Sequence, residues 1–444
     1  MKKVRKTNLD LLNLSKINEI EASMKYHYVE ILSQMDLLKK SDSQDELRQK
    51  YRKETSKIIQ QAIHKHQNPN NCQRLLLCEG KMNSRKVQIC GWGCMMHHVL
   101  KCFRAAFSTE RVLILDSKLF GLHNHFKPLT ETCTNISKKT TYEWPKNNSM
   151  NVVKMIQFDN SVIPQDLQKG MSPYIPEDLM DILPLITPDP ETWFDGQFIA
   201  YVFRPNDDFL PQFHAYHNLN YNAAIHIRRN DKIKEAYFYD IEEYTKVIEL
   251  YFQIQQANNQ QIKNNFTVFI ATDDALALNE SRSLLMPIRV LGNISTAETA
   301  SNISNRYLPD SHNSLIQDFF QLANADFLLC TFSSNLGRLV YEYRTATKYT
   351  NSDLYEVMSM DLNPFGDFPR NYRSIHARNV QDINELNFEK NVLIYVPKHK
   401  IKTEIPKRYF GIVQKPKGTL KHFLRSSVSK VYSVSNNFPP ISMN

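Results

Sequence analysis

Absences narrow this sequence first. No run of 18 apolar residues occurs anywhere in its 444 residues, so no transmembrane helix is encoded. Met1–Lys6 is basic, but Thr7–Ile20 is too polar for the core of a secretion signal. Taken literally, the chain starts in the cytosol. No G-x-G-x-x-G and no Walker loop is present, which weighs against nicotinamide, flavin and P-loop chemistry. No C-x2-C spacing occurs, which weakens a zinc reading. No RNA-binding signature or interleaved aromatic platform is present, so nucleic acid is not an expected partner.

What is present fits a globular chain of two or three domains, with 42% hydrophobic and 11% aromatic residues. The net charge of +9 is local: Glu389–Tyr432 holds eleven Lys/Arg against two Glu, and the rest is balanced. A solvated basic surface explains that tail best, with an anionic glycan or membrane face as the alternatives. Six of the seven cysteines fall between Cys72 and Cys133. Such clustering reads as a disulfide framework or a metal site, and only His97 and His98 lie nearby, which favours disulfides. Disulfides place the chain in an oxidising lumen, against the literal N-terminus. N-x-S/T sequons occur at Asn135, Asn147, Asn265, Asn279, Asn293 and Asn302, in a chain rich enough in Asn for chance matches.

Leu9–His66 reads as helical, with Ile17, Met24, Ile31 and Leu38 recurring every seven residues and Leu32 and Met35 widening the stripe. That pattern predicts a short coiled coil or helical hairpin, and self-association through it. Asn-Pro-rich Gln67–Asn71 marks a boundary. Gly91 and Gly93 precede an apolar helix expected over Met95–Phe107, a place where backbone can approach an anion. Arg111–Asp116 and Asn151–Phe158 are strands, Pro173–Pro190 a surface connection, and Glu191–Phe203 a helix.

The second half alternates strand and helix. Ala223–Ile227 reads as a buried strand, then six of the next eight residues are charged, from Arg228 to Glu235. Paired guanidiniums suit a diphosphate, and a carboxylate nearby can act as general base. Ile241–Gln255 is helical. Phe266–Asp274 is a strand ending at Asp273 and Asp274. Asp326–Ser334 is a strand ending at Ser333 and Ser334, and Asn335–Arg344 resumes as helix. Three strand tips bearing Arg-Arg, Asp-Asp and Ser-Ser predict a ligand crevice in an α/β sheet.

The run H-I-R-R-N-D-K with E-A-Y-F resembles the nucleotide-sugar motif of eukaryotic core α-1,6-fucosyltransferases, which act on N-glycans. A-T-D-D at Ala271–Asp274, N-R-Y at Asn305–Tyr307 and A-D-F-L-L-C-T-F-S-S at Ala325–Ser334 follow in the same order. G-W-G-C-M-M-H-H and R-V-L-I-L-D upstream are similar too, so the likeness spans roughly Asn71–Tyr343.

The resemblance implies an α/β, GT-B-like glycosyltransferase. Its parts would be a helical coiled-coil region over 1–66 and an open α/β domain over 71–222. A Rossmann-like nucleotide-sugar domain over 223–350 and an SH3-like β-barrel over 374–432 would follow. It implies inverting, metal-independent transfer of L-fucose from GDP-fucose to the 6-hydroxyl of the innermost N-acetylglucosamine. No cofactor, an N-glycan or glycoprotein acceptor, a homodimer and a Golgi lumen go with it. By position, Arg228 grips the β-phosphate with Arg229 in support, and Glu235 is the base with Lys232 and Asp231 in its relay. His226, Tyr244, Asp273, Asp274, Arg306, Asp318 and Ser334 shape the donor pocket, with Gly91 and Gly93 facing the diphosphate. Asp159 is the acceptor-side candidate.

The family pattern also pairs Cys72 with Cys133, Cys78 with Cys102 and Cys90 with Cys94. It leaves Cys330 free, because its expected partner is replaced by Gly337. The spacing from Lys232 to Glu235 is one residue shorter than the family's, Asn335 stands where the family has Gln, and the tail lacks the Trp of an SH3 groove. The membrane anchor of the family is absent. The alternatives are a fucosyltransferase acting on chitin oligosaccharide or a protein hydroxyl, a non-catalytic glycan-binding relative and, last, a basic nucleic-acid binder.

Overall fold

The computed structural model describes residues 20–38, 41, 44–79, 91–115, 121–134, 141–155, 163–219, 221–234, 236–258, 266–302, 305, 309–348, 356–361, 370–379, 381, 386–396, 408–413, 421–424, 428–430, 432 and 434–441. Two helices come first, α1 over residues 20–38 and α2 over Gln44–Gln67. They are separate elements, which fits the helical-hairpin alternative of the periodicity. Asp45 and Glu46 in the first turn of α2 favour a helix start there.

A first sheet follows from β1 (Leu75–Cys78), α3 (Trp92–Ser108), β2 (Val112–Leu115), β3 (Tyr142–Glu143) and β4 (Val152–Met155). Its order is β2-β1-β4-β3 and every pairing is parallel. The apolar runs LLLC and VLIL make β1 and β2, and α3 packs its apolar side on them. Cys72 is bonded to Cys133 and Cys78 to Cys102, as the resemblance implied. Cys94 is also disulfide-bonded, and its expected partner Cys90 lies outside the described residues.

The connecting region holds α4 (Gln165–Gln168), β5 (Ile175–Pro176), α5 (Leu183–Ile186), α6 (Pro190–Val202) and α7 (Leu210–His217). The proline-rich part is not a surface connection. It buries Ile175, Leu179, Leu183 and Ile186, and buried Arg52 of α2 donates to the Ile186 carbonyl at 2.9 and 2.7 Å. Prolines there shape tight turns over a core rather than mark an exposed linker.

The second sheet is built by β6 (Ala223–Ile227), α8 (Ile241–Asn258), β7 (Thr267–Thr272), α9 (Ala275–Leu284), β8 (Arg289–Leu291), α10 (Ile294–Ser301), α11 (Pro309–Asn324), β9 (Phe327–Cys330), α12 (Asn335–Thr347) and β10 (Val357–Ser359). Its order, β10-β9-β6-β7-β8, is parallel throughout, so every strand delivers its C-terminal tip to the same edge. β6 is central and wholly buried.

Helix α6 couples the two halves. It is buried around nearly its whole circumference, and at Gly196 its backbone lies directly against the Glu342 carbonyl of α12, leaving no room for a Cβ. Its buried Asp195 is held by Arg104 of α3 at 2.9 Å and by the Ser172 hydroxyl at 2.6 Å. Burial pushes the Asp195 carboxyl up to about 7, against the pull of Arg104.

Beyond β10, β11 (Arg370–Ser374), β12 (Leu393–Val396), β13 (Arg408–Val413), β14 (Lys421–Leu424) and β15 (Val428–Lys430) form an antiparallel sheet, ordered β14-β13-β12-β11-β15. β16 (Val434–Ser435) then pairs in parallel with β5. Phe438 packs edge-on against Phe194 of α6, with ring centroids 5.5 Å apart.

Candidate functional site

The C-terminal tips of β9, β6 and β7 stand side by side and carry the residues the sequence singled out. After β6 the chain makes a 3-10 turn over Asn230–Lys234, entered through Asn230 at φ 55°. A positive φ suits Asn better than most side chains. The turn folds the charged run back over the sheet edge. The Arg228 guanidinium, one-fifth exposed, is paired with Asp231 at 2.6 Å and with Asp273 at the β7 tip. Two carboxylates from different segments thus fix the plane of the fork, the property that suits it to two oxygens of one phosphate.

Arg229 does a different job. Its backbone N–H donates to Asp273 at 2.7 Å, its guanidinium donates to the Tyr239 carbonyl at 2.9 Å, and it stacks 3.8 Å over the Phe238 ring. It ties the 3-10 turn to the segment that follows. Lys232 lies within the turn, half-buried, and its N–H donates to the Arg229 carbonyl at 3.2 Å. Glu235, Arg306 and Asp159 lie outside the described residues.

His226 is buried in β6, and burial together with Arg228 pushes its imidazole down to about 3. Both favour the neutral ring, and among the described residues its Nδ1 has no hydrogen-bond partner. Tyr244 of α8 is a core residue beneath these tips, its phenol raised by burial and by Asp361. Asp274 caps α9 by accepting from the Leu276 N–H at 2.9 Å. Asp318 is half-buried midway along α11, next to Tyr221, and burial pushes its carboxyl up to about 7.

Two helix N-termini converge here. Ser334 is the N-cap of α12 and its side chain makes no capping bond. Gly91 is the N-cap of α3, and among the described residues nothing lies where a Cβ would project. Gly93 is inside α3, not ahead of it as the sequence indicated, and a Cβ there would sit 2.8 Å from the Leu336 N–H of α12. Only glycine lets the first turns of the two helices meet this closely. Parallel register sets Ile225 of β6 beside Leu329 of β9, so the chain after β6, at Arg228, emerges next to the loop entering α12. Arg228 therefore sits on a stretch of chain next to two meeting helix N-termini, and such ends favour an anion.

Sequence reasoning missed Asp361. It follows β10, and its carboxylate accepts from the Phe332 N–H at 2.7 Å and the Ser333 N–H at 3.3 Å. It holds the loop between β9 and α12 in shape. No local pattern marks it, because the placement depends on β10 pairing with β9. Cys330 is free and buried, and a Cβ at Gly337 would lie 3.4 Å from its sulfur. Among the described residues, Cys78, His98 and Cys102 are grouped closely enough for a metal, but the two cysteines are joined to each other, which removes their thiolates.

The family model for alpha-(1,6)-fucosyltransferase N- and catalytic domains matches residues 1–361. An alpha-(1,6)-fucosyltransferase of Drosophila melanogaster is 33% identical over 340 residues, covering 73% of this chain and 53% of that protein. One of Caenorhabditis elegans is 29% identical over 329 residues, covering 69% of this chain and 56% of that protein. The chain thus spans about half the length of these relatives. Among solved structures, POFUT1 in complex with GDP gives a TM-score of 0.35 at 10% identity, covering 66% of this chain and 99% of that one.

Proposed function

Because the chain belongs to the alpha-(1,6)-fucosyltransferase family, we propose that it transfers L-fucose from GDP-fucose to the 6-hydroxyl of the innermost N-acetylglucosamine of N-glycans. The observation that carries this reading is the meeting of the first turns of α3 and α12 beside the β6 tip that carries Arg228, taken as the walls of one crevice. Such a crevice accepts a sugar diphosphate and stabilises GDP as it leaves, with fixed dipoles and a guanidinium in place of a metal. Inversion then follows from one displacement. The sugar hydroxyl attacks the anomeric carbon from the face opposite the diphosphate, the C–O bond to GDP breaks, and Glu235 takes the hydroxyl proton. Lys232 and Asp231 relay that proton, and neutral His226 with Asp273, Asp274, Arg306, Asp318 and Ser334 shapes the donor pocket. Asp159 is the acceptor-side contact. In this reading the two parallel sheets are the facing domains of a GT-B-like fold, the antiparallel C-terminal sheet is an SH3-like module, and the enzyme works in the Golgi lumen. The disulfides around the first sheet support an oxidising compartment.

Incubation with GDP-fucose and a panel of acceptors, read by mass, tests the proposal. The panel is N-glycans with and without a free innermost 6-hydroxyl, chitin oligosaccharides and a hydroxyl-bearing protein domain. Fucose on the first class alone is expected. Transfer to another class reassigns the acceptor, and GDP binding without transfer to any makes the chain a binding relative.

We further propose a homodimer through the N-terminal helices. Ser33 and Asp36 of α1 are buried and hydrogen-bond Asn258 at the end of α8. The opposite side of α1 exposes Met24, Tyr28, Ile31, Met35 and Leu38, at alternating spacings of four and three. That is a coiled-coil seam facing solvent. Ile31→Glu with Met35→Glu should halve the mass seen by light scattering and leave GDP affinity unchanged. A wild type that is monomeric at high concentration removes the idea.

A further inference from the structure

Two sequons lie together on the outer rim of the second sheet. Asn279, in Asn279-Glu280-Ser281, is exposed on α9. Its Oδ1 accepts from Arg282 at 3.5 Å, and among the described residues nothing engages its Nδ2. Asn293, in Asn293-Ile294-Ser295, is exposed at the N-cap of α10 and accepts from the Thr296 N–H at 3.2 Å through Oδ1, which also leaves Nδ2 outward. Arg282 ties the two together, because its other nitrogen donates to the Gly292 carbonyl at 3.0 Å. By contrast, Asn147 is half-buried and its Nδ2 donates to the Glu143 carbonyl at 3.1 Å.

The rim beside this pair needs cover. β8 is the edge strand of its sheet. Nearby, Leu276 and Met286 are more than three-quarters exposed, at 77% and 76%. Among the described residues no strand pairs beyond β8, and an unpaired edge flanked by apolar side chains invites pairing with other chains. The disulfides put the folding chain where asparagine glycosylation takes place.

We propose that Asn279 and Asn293 both carry N-linked oligosaccharides, which shield the β8 edge. The donor is an oligosaccharide on a lipid pyrophosphate. The asparagine Nδ2 bonds to C1 of its first sugar, the C1–O bond to pyrophosphate breaks, the lipid pyrophosphate leaves, and Nδ2 loses one proton. The step occurs on the unfolded chain, so burial of Ser281 in the fold does not obstruct it.

The full chain, placed behind a secretion leader in insect cells, supplies the test. Peptide N-glycosidase in ¹⁸O water converts each glycosylated Asn to labelled Asp, and peptide masses locate the label. Label at both 279 and 293 is expected. Unlabelled Asn at both overturns the proposal, and label at one position alone overturns the paired shield. The double variant Asn279→Gln/Asn293→Gln should bind GDP as tightly as wild type and aggregate several-fold faster. Equal aggregation removes the shielding role. Occupancy is read on the wild type, so a double variant that fails to fold leaves that result standing.

Discussion

The first parallel sheet is cross-linked where the second is not. Cys72–Cys133 ties the segment leading into β1 to a loop, and Cys78–Cys102 ties β1 to α3, whereas the one cysteine of the second sheet, Cys330, is buried and free. Strands β1, β2 and β4 have four residues each, and β3 has two. These short strands still bury Leu76, Leu113 and Val153 in the main core, and the two disulfides add covalent closure to that packing. The second sheet has β6 buried at every position and helices packed along it, and it holds without staples. That rigidity lets its strand tips carry a burst of charge at Arg228, Asp231 and Asp273. The comparison sets covalent closure in one sheet against charged strand tips in the other, with the N-terminus of α3 reaching from the first half to the second.

The sharpest way to break that division is to mutate the charged tip. Arg228→Ala removes a charge-assisted fork, so GDP affinity and fucose transfer should both fall a hundredfold or more, about 3–4 kcal/mol. Arg228→Lys should restore only part, since an ammonium cannot bridge two oxygens. Glu235→Gln should spare GDP-fucose binding and cut transfer by roughly 10²–10⁴-fold, the usual share of a general base. Calorimetry and single-turnover transfer separate the two effects. Wild-type transfer by Glu235→Gln would mean that the one-residue-shorter spacing from Lys232 has moved the base elsewhere.

The same comparison explains what the sequence revealed. β6, β7 and β9 were legible because each is an apolar run that stops in polar residues, and the structure sets those stops side by side. The start of α3 was not, because Gly93 reads as a turn residue. Its reason lies in a distant partner, the Leu336 N–H. Asp361 was invisible for the same kind of reason, since the β9–β10 pairing that places it is non-local. The prolines between Pro173 and Pro190 signalled a loop, yet the apolar residues among them, Ile175, Leu179, Leu183 and Ile186, are core. Local pattern found the charged and polar strand tips; the close approaches around them depend on tertiary contact.

A second prediction probes the scaffold alone. Replacing Cys78 and Cys102 together by Ser opens a loop with a sequence separation of 24, worth about 3 kcal/mol in chain entropy. Thermal melting should shift down by several degrees, while GDP affinity of the folded fraction stays at the wild-type value. An unchanged melting temperature would show that the first sheet does not need the staple. A lost affinity would show that the two sheets are not divided as described.

The smallest expected effect belongs to Asp318, midway along α11. Burial raises its carboxyl from 3.8 to about 7, so the fold favours the protonated, neutral form. Between about pH 4 and pH 7 the native state then binds more protons at this position than the unfolded chain does. Its contribution to stability is complete below the unfolded value and is lost as pH rises through the folded one. Asp318→Asn keeps shape and neutrality and cannot ionise, so it should flatten that part of the decline in stability with rising pH. Denaturant melts at several pH values between 4 and 8, run in parallel on wild type and variant, read the difference in slope. Parallel slopes would place Asp318 in contact with solvent or a cation. A flattened slope with weakened GDP binding would tie the buried carboxyl to the donor pocket as well as to the core.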